Sequence, residues 1–135
     1  SEYETRTVLK LIRKDIILGI GCKRNTDSEK LFNFVSDILA QENIDIRAVE
    51  KIASINIKSD EKAILDLAVN LKCDLTFFSS QEIAKVEHKY EGSEFVKKSI
   101  GVSAVSEPVI ELAGANIIIK KIKKDGMTLA IGELN

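Results

Sequence analysis

The feature that most constrains the fold is a short apolar strand followed at once by a helix, which occurs three times in the first 86 residues. The predicted strands are Ile16–Gly21, Lys51–Ile57 and Leu75–Phe78. The first is a continuous β-branched run, which is typical of a strand buried on both faces. The second alternates apolar and polar residues, as a half-buried strand does.

Helix start signals follow each of these strands. Thr26 with Glu29, and Ser79 with Glu82, have the spacing of a capping box, and Asp60 is the predicted N-cap of the helix between them. Apolar residues then recur every three or four positions, which predicts amphipathic helices. Strands that alternate with helices form a mostly parallel sheet with helices on both faces.

The C-terminal third adds helices and a hairpin. We expect a helical turn through residues 95–99 that ends at Gly101, and then a main helix between Ser103 and Ala113. Ser106 is the better N-cap for that helix, because Pro108 would then lie in its first turn. Asp125 and Gly126 between two apolar strands predict a type I′ β-hairpin. The predicted fold is α/β, with three α/β/α layers, a mixed, mostly parallel sheet and a C-terminal β-hairpin.

The length of 135 residues is that of one domain. Residues 1–14 are mostly polar and are interpreted as a linker or a short N-terminal strand, and residues 15–135 as the α/β domain. The chain begins at Ser1 rather than at a methionine, from which we expect it to be one domain of a longer polypeptide.

Charge and cysteine content exclude several classes of partner. The net charge is −1 at neutral pH, so no global field attracts nucleic acid or a membrane surface. No apolar run reaches the roughly 18 residues of a membrane span. The two cysteines, Cys22 and Cys73, have no CxxC spacing, which favours a reducing compartment, and we expect the cytoplasm.

The polar residues that follow the three strands are the candidate site. Parallel strands end at the same edge of a sheet, where ligands of open α/β folds bind. The groups expected at that edge are Cys22, Lys23 and Arg24 after the first strand, Lys58, Asp60 and Glu61 after the second, and Ser79 after the third. Helix N-termini behind them add partial positive charge, so this edge predicts a cationic rim for an anionic ligand.

Several more specific interpretations of these residues have weaker support in the sequence. Gly19 and Gly21 begin a dinucleotide fingerprint, but a third glycine and an acidic end to the second strand are missing, and no Walker GK[ST] occurs. Cys22 and Cys73 with His88 match no zinc spacing, so we expect no metal site and no cofactor. Packing alone would explain Cys22, and an exposed turn with a helix cap would explain Lys58, Asp60 and Glu61. The lysines between 120 and 124 are interpreted as a solvated edge that blocks aggregation.

Four consecutive blocks of the sequence resemble one known family. They are GIGCKRNT, ASINIKSDE, FFSSQEIAKV and GVSAVSEPVIELAG. In this order they resemble the CbiG C-terminal domain, which also occurs as the stand-alone CobE, of cobalamin (vitamin B12) biosynthesis. The resemblance covers nearly all of the chain from Asp15 onward, and it implies a mixed-sheet α/β domain.

The resemblance also implies a function. CbiG is similar to a cobalt-precorrin-5A hydrolase, which opens a δ-lactone on the corrin precursor and releases acetaldehyde, whereas the role of CobE is less defined. The implied partners are an anionic tetrapyrrole, with cobalt only as part of the substrate, and the N-terminal domains of a longer CbiG chain. A non-catalytic module that binds or hands over a tetrapyrrole is the alternative.

The motif positions carry the implied site residues. Gly21, Cys22, Lys23 and Arg24 match the first block, Lys58, Asp60 and Glu61 the second, and Glu107 the last. The substrate carries acetate and propionate groups, which Lys23 and Arg24 would bind. Lactone hydrolysis needs a base for water and an oxyanion stabiliser, for which Glu107 or Glu61 and Lys58 or Arg24 are the candidates. Water is a better nucleophile than Cys22, because no base is evident beside the thiol.

Overall fold

A computed structural model describes residues 12–92 and 104–135 of the chain. Its strands are β1 (Ile16–Cys22), β2 (Val49–Ile55), β3 (Asp74–Phe78), β4 (Asn116–Lys124) and β5 (Met127–Glu133). Its α-helices are α1 (Ser28–Gln41), α2 (Lys62–Leu71), α3 (Ser80–Ala84) and α4 (Ser106–Leu112). Short 3₁₀ turns occur at Ile46–Ala48, Asn56–Lys58 and Glu87–Lys89.

The five strands form one mixed sheet in the order β3-β2-β1-β5-β4. β1, β2 and β3 pair in parallel, and β5 runs antiparallel to both β1 and β4. β4 therefore points the same way as β1, so four of the five strands share one direction. The mixed, mostly parallel sheet predicted from the sequence is confirmed.

Helices cover both faces of the sheet, which gives three layers with a hydrophobic core on each face. One lies beneath α1 and α2 and contains Leu18, Leu31 and Ile64. The other lies beneath α3 and α4, on the opposite face, and contains Ile17, Ile83 and Ile110. Successive residues of β1 alternate between these cores, which is how a strand covered by helices on both faces packs.

The C-terminal hairpin is confirmed at its predicted turn. Asp125 and Gly126 both have positive φ, 51° and 80°, which is the conformation that a type I′ turn requires. Lys124 then pairs with Met127, and Met127 pairs with Cys22 of β1. The hairpin therefore closes the sheet beside the end of the first strand.

Two of the predicted helix caps are wrong. Asp27, rather than Thr26, is the N-cap of α1, and its side chain accepts from the Lys30 N–H. The hydroxyl of Thr26 donates to the carbonyl oxygen of Lys23 at 2.6 Å. Asp60 does not cap α2, because Glu61 occupies the N-cap position and Asp60 pairs with an arginine instead.

The other cap predictions have mixed outcomes. The capping box of Ser79 and Glu82 is confirmed at α3. Ser106 is the first residue of α4 and Val105 its N-cap, so the prediction of a Ser106 N-cap is wrong, although Pro108 does lie in the first turn. The predicted turn at residues 95–99 and the alternative start at Ser103 lie outside the described residues, as does most of the predicted linker at 1–14.

Candidate functional site at the carboxyl edge of the sheet

The parallel strands bring the polar residues that follow them to one edge. β1 ends at Cys22, β3 ends just before Ser79, and β2 ends at Ile55, followed by the 3₁₀ turn that carries Lys58. The second strand thus ends two residues earlier than the sequence predicts, because Asn56–Lys58 turns away from the sheet. Lys58 nevertheless acts electrostatically on the Cys22 thiol, so the first two groups are neighbours.

The loop after β1 is held to the hairpin. The backbone N–H of Lys23 donates to the carbonyl oxygen of Gly126 at 3.2 Å. A Cβ atom on Gly126 would lie 2.7 Å from the Lys23 side chain, so the hairpin turn provides the space along which that stem lies. Asn25 has a φ of 62°, a left-handed conformation that asparagine tolerates better than most residues.

Arg24 is engaged within the chain. Its Nη1 atom donates to Oδ1 of Asp60 at 2.7 Å, and its Nη2 atom donates to the carbonyl oxygen of Ile57 at 2.6 Å. The hydrogen bond from the guanidinium lowers the pKa of the Asp60 carboxyl. The cation expected to bind substrate carboxylates therefore already has two oxygen partners in this structure.

Glu61 is the most buried carboxylate of this edge, with 3% of its surface exposed. Its Oε2 atom accepts the backbone N–H of Asn25 at 3.0 Å, and its Oε1 atom lies 3.4 Å from Nη1 of Arg24. It also begins α2, and its own N–H donates to the carbonyl oxygen of Lys58. The carboxylate thus ties together the residues that follow β1 and β2.

The Cys22 thiol is buried and lies among charged side chains. Burial raises its pKa, an effect opposed by a hydrogen bond with Thr26 and by the charges of Lys58 and Arg24. The negative charge of Glu61 adds to the increase. The net direction is upward, so the thiol form is favoured at neutral pH.

Two cations of the rim remain available. Neither Lys23, which is exposed, nor Lys58, which is half-buried, makes an ion pair with any residue in 12–92 or 104–135. Ser79 lies two strands away from β1, and its Oγ atom accepts the Glu82 N–H at 3.1 Å as part of the α3 cap. Within the described part of the chain, Lys23, which directly follows β1, and Lys58 are thus rim cations without a carboxylate partner.

Glu107 belongs to a different group. It lies in the first turn of α4 and is 8% exposed, on the sheet face opposite to the core that contains Cys22. Burial raises the pKa of Tyr90, and the charge of Glu107 adds to that increase. Burial lowers the pKa of Lys121, and the charge of Glu107 opposes that decrease. The structure thus places the candidate catalytic carboxylate on the α4 side and the Cys22–Lys58 group on the α1 side.

Sequence reasoning missed the polar residues around Glu107. Lys121 donates from Nζ to the carbonyl oxygen of Glu91 at 2.9 Å, and the Tyr90 hydroxyl donates to Oε1 of Glu111 at 2.5 Å. No motif signals this group, because two register shifts interrupt the simple alternation of side chains along β4. Gly21 has a packing role that the sequence did not reveal. A Cβ atom at this position would lie 2.7 Å from Oγ1 of Thr128, which is a packing reason for glycine.

Residues 12–92 and 104–135 contain neither a group of metal ligands nor a membrane-spanning helix. No three His, Cys, Asp or Glu side chains there are grouped closely enough to hold a metal ion. No helix within the same ranges is both long and apolar enough to cross a membrane.

Comparison with known families decides the relationship of the chain. The model of the family described as cobalamin synthesis G C-terminus (CbiG C-terminal) matches residues 16–132. The chain belongs to this family. The resemblance inferred from the four sequence blocks is therefore confirmed.

Relatives of this CbiG C-terminal chain include two longer proteins. It is 28% identical over 124 residues to a cobalt-precorrin-5A hydrolase of Salmonella typhimurium, covering 91% of this chain and 35% of the relative. It is 33% identical over 132 residues to a probable cobalt-precorrin-5A hydrolase of Methanocaldococcus jannaschii, covering 89% and 41%. The chain therefore spans well under half the length of these relatives.

A solved structure resembles most of the chain. CobE, a protein from the cobalamin biosynthetic pathway, superposes with a TM-score of 0.78 at 25% identity. The match covers 89% of this chain and 90% of CobE. The α/β architecture is thus shared with a chain of similar size.

Proposed function

We propose that this chain acts in cobalamin biosynthesis as the C-terminal domain of a cobalt-precorrin-5A hydrolase, which opens the δ-lactone of the substrate with loss of acetaldehyde. The observation that supports this most is the match to relatives named as that hydrolase, which extends over about nine-tenths of the chain. The residues GIGCKRNT and KSDE, which the resemblance assigns to the site, meet at one sheet edge.

The free cations support a substrate that carries several carboxylates. A corrin precursor carries acetate and propionate groups, and carboxylates form their strongest hydrogen bonds with charged donors. Lys58 and Lys23 would supply these donors, while Arg24 is occupied by Asp60 and the Ile57 carbonyl oxygen. Cobalt would enter only as part of the substrate, and the domain would need no cofactor of its own.

Residues on both sides of the sheet, Glu107 on the α4 side and Lys58 on the α1 side, would take part in the chemical step. Glu107 would take a proton from a water molecule, whose oxygen adds to the lactone carbonyl while the ring C–O bond breaks. Lys58 would stabilise the oxyanion that forms. The departing alkoxide would then become the carbonyl group of acetaldehyde as the bond from its carbon to the ring breaks. The ring carbon would keep the electron pair of that bond and take up a proton, and the opened lactone would remain as a carboxylate. Cys22 would not attack, because its raised pKa keeps it a thiol.

The remaining length of the relatives suggests further partners. This chain covers 35% of the Salmonella relative, so domains outside this family would contribute to the complete enzyme. Glu107 lies on the opposite face of the sheet from Cys22, so a lactone that Glu107 and Lys58 both reach would lie at the edge itself, between the two faces. The free cysteines suit the reducing cytoplasm.

A non-catalytic role in binding or handing over a tetrapyrrole is the second candidate. It is favoured by the superposition on CobE, which covers 90% of that chain without additional domains. Incubation with cobalt-precorrin-5A separates the two: the hydrolase releases acetaldehyde, whereas the binding module changes only the absorbance spectrum of the tetrapyrrole.

A further inference from the structure

Glu61 is a buried carboxylate whose contacts all lie within the protein. Only 3% of its surface is exposed, and a buried charge is unfavourable unless it is paired or hydrogen-bonded. Oε2 accepts the Asn25 N–H at 3.0 Å, and Oε1 faces Nη1 of Arg24 at 3.4 Å. Both oxygens are therefore used, which leaves this side chain poorly placed to accept a proton from water.

The backbone of Glu61 is fixed as firmly as its side chain. Its carbonyl oxygen accepts the N–H groups of Ile64 and Leu65, both at 3.1 Å, in the first turn of α2. Its N–H donates to the carbonyl oxygen of Lys58 at 2.9 Å. The carboxylate therefore extends from a rigid helix start toward the loop after β1.

The other side of the contact is a loop with an unusual backbone. Asn25 has a φ of 62°, and this turn directs its N–H toward Glu61. Arg24 spans the same gap, since its guanidinium also bonds Asp60 and the carbonyl oxygen of Ile57. These contacts connect the loop that follows Cys22 to the turn that carries Lys58.

We propose that Glu61 is a positioning residue that sets the geometry of Cys22, Lys23 and Lys58 relative to one another, and is not the general base. For catalysis this rests on the proposed function, because Lys58 is there the oxyanion stabiliser. The geometric part stands without it, since it concerns only how two loops are held.

The test replaces Glu61 with glutamine and measures how fast iodoacetamide alkylates Cys22, with peptide mass mapping to separate Cys22 from Cys73. Glutamine keeps the size but turns one acceptor into a donor, so the loop should open more often. We expect alkylation to rise about fivefold, the factor that corresponds to the net contribution of one hydrogen bond. Loss of the adjacent negative charge acts in the same direction, because that charge raises the pKa of the thiol.

Asp66→Asn is the matched control. Asp66 also joins α2 to the start of α1, by accepting from the hydroxyl of Ser28, and it pairs with Lys62 of its own helix, but it is not among the charges that act on Cys22. Its alkylation rate should equal that of the wild type. Arg24→Lys, at a side chain that is 46% exposed, provides a second variant should Glu61→Gln not fold, and it should raise the rate by loosening the same loop.

Wild-type Cys22 reactivity in both Glu61→Gln and Arg24→Lys would overturn the proposal. In the hydrolase assay, a positioning role predicts a lower kcat with an unchanged pH profile. If the pH profile of Glu61→Gln lacks a rising or falling side that the wild-type profile has, Glu61 is the general base, and the proposal is also overturned. If the wild type releases no acetaldehyde, the proposed function fails while the alkylation experiment still decides the positioning role.

Discussion

A Cβ atom on Gly19 would lie 1.9 Å from the carbonyl oxygen of Ser106, so β1 and the start of α4 are in backbone contact. Gly21 faces the same helix layer but meets mainly the hydroxyl of Thr128. Gly19 therefore brings α4, and with it Glu107, close to the sheet. Gly21 instead leaves room for the hydroxyl of Thr128 on the neighbouring strand β5.

Gly19→Ala should destabilise the protein more than Gly21→Ala. Overpacking a core costs about 1–3 kcal/mol, and the cost should reach the upper end at Gly19 because the atom in the way is backbone. At Gly21 the Thr128 hydroxyl can rotate aside, so we expect about 1 kcal/mol. Urea denaturation measures both, and equal midpoints would contradict the close packing of α4.

Lys58→Ala should weaken binding of a tetrapyrrole that carries acetate and propionate groups. A lost charge-assisted hydrogen bond corresponds to about 1–3 kcal/mol, measured by absorbance titration. Lys14→Ala, at an exposed residue just before β1, removes the same charge at the opposite edge of the sheet and should bind like the wild type. Equal weakening by both variants would mean that only net charge matters.

Glu107→Gln should slow acetaldehyde release while leaving binding intact. One general base is typically worth roughly 10²- to 10⁴-fold in rate. Glu111→Gln is the control on the same helix, because Glu111 contacts Tyr90 and Lys89 rather than a substrate and should lose at most some stability. A wild-type single-turnover rate for Glu107→Gln would remove Glu107 from the chemistry.

Alkylation of Cys22 should depend on pH in the direction set by its raised pKa. Burial favours the neutral thiol, so the reactive thiolate should become abundant only above the ordinary value of 9.0. The rate at neutral pH should therefore be lower than that of an unfolded cysteine peptide.

Cys22→Ser should reduce hydrolysis only mildly, and an inactive Cys22→Ser variant would instead indicate a covalent intermediate.

The fold could be predicted because its signals are local. The strand runs, the Asp125-Gly126 turn and the Ser79 cap depend on neighbouring residues, and all were confirmed, although the second strand lies two residues earlier than predicted. The cap at Thr26 was wrong because the neighbouring Asp27 accepts the Lys30 N–H and is the N-cap of α1. Local spacing cannot show which of two adjacent side chains that are both able to cap a helix will do so.

The site was harder to predict because its contacts are distant in sequence. Arg24 and Glu61 look like exposed functional charges in the sequence, but they neutralise each other across 37 positions. The position of Glu107 on the opposite face depends on how α4 crosses the sheet, and no motif contains that information. Sequence indicated which residues gather at the edge, and the packing indicated which of them remain free.

The most direct test of the account is acetaldehyde release by this chain from cobalt-precorrin-5A, measured in a single turnover with the Lys58→Ala and Glu107→Gln variants alongside. The account predicts release by the wild type, a slower rate for Glu107→Gln and weaker binding for Lys58→Ala. Tetrapyrrole binding without any acetaldehyde, both alone and with the remaining domains of a longer relative supplied, would contradict the hydrolase assignment and favour the handover module.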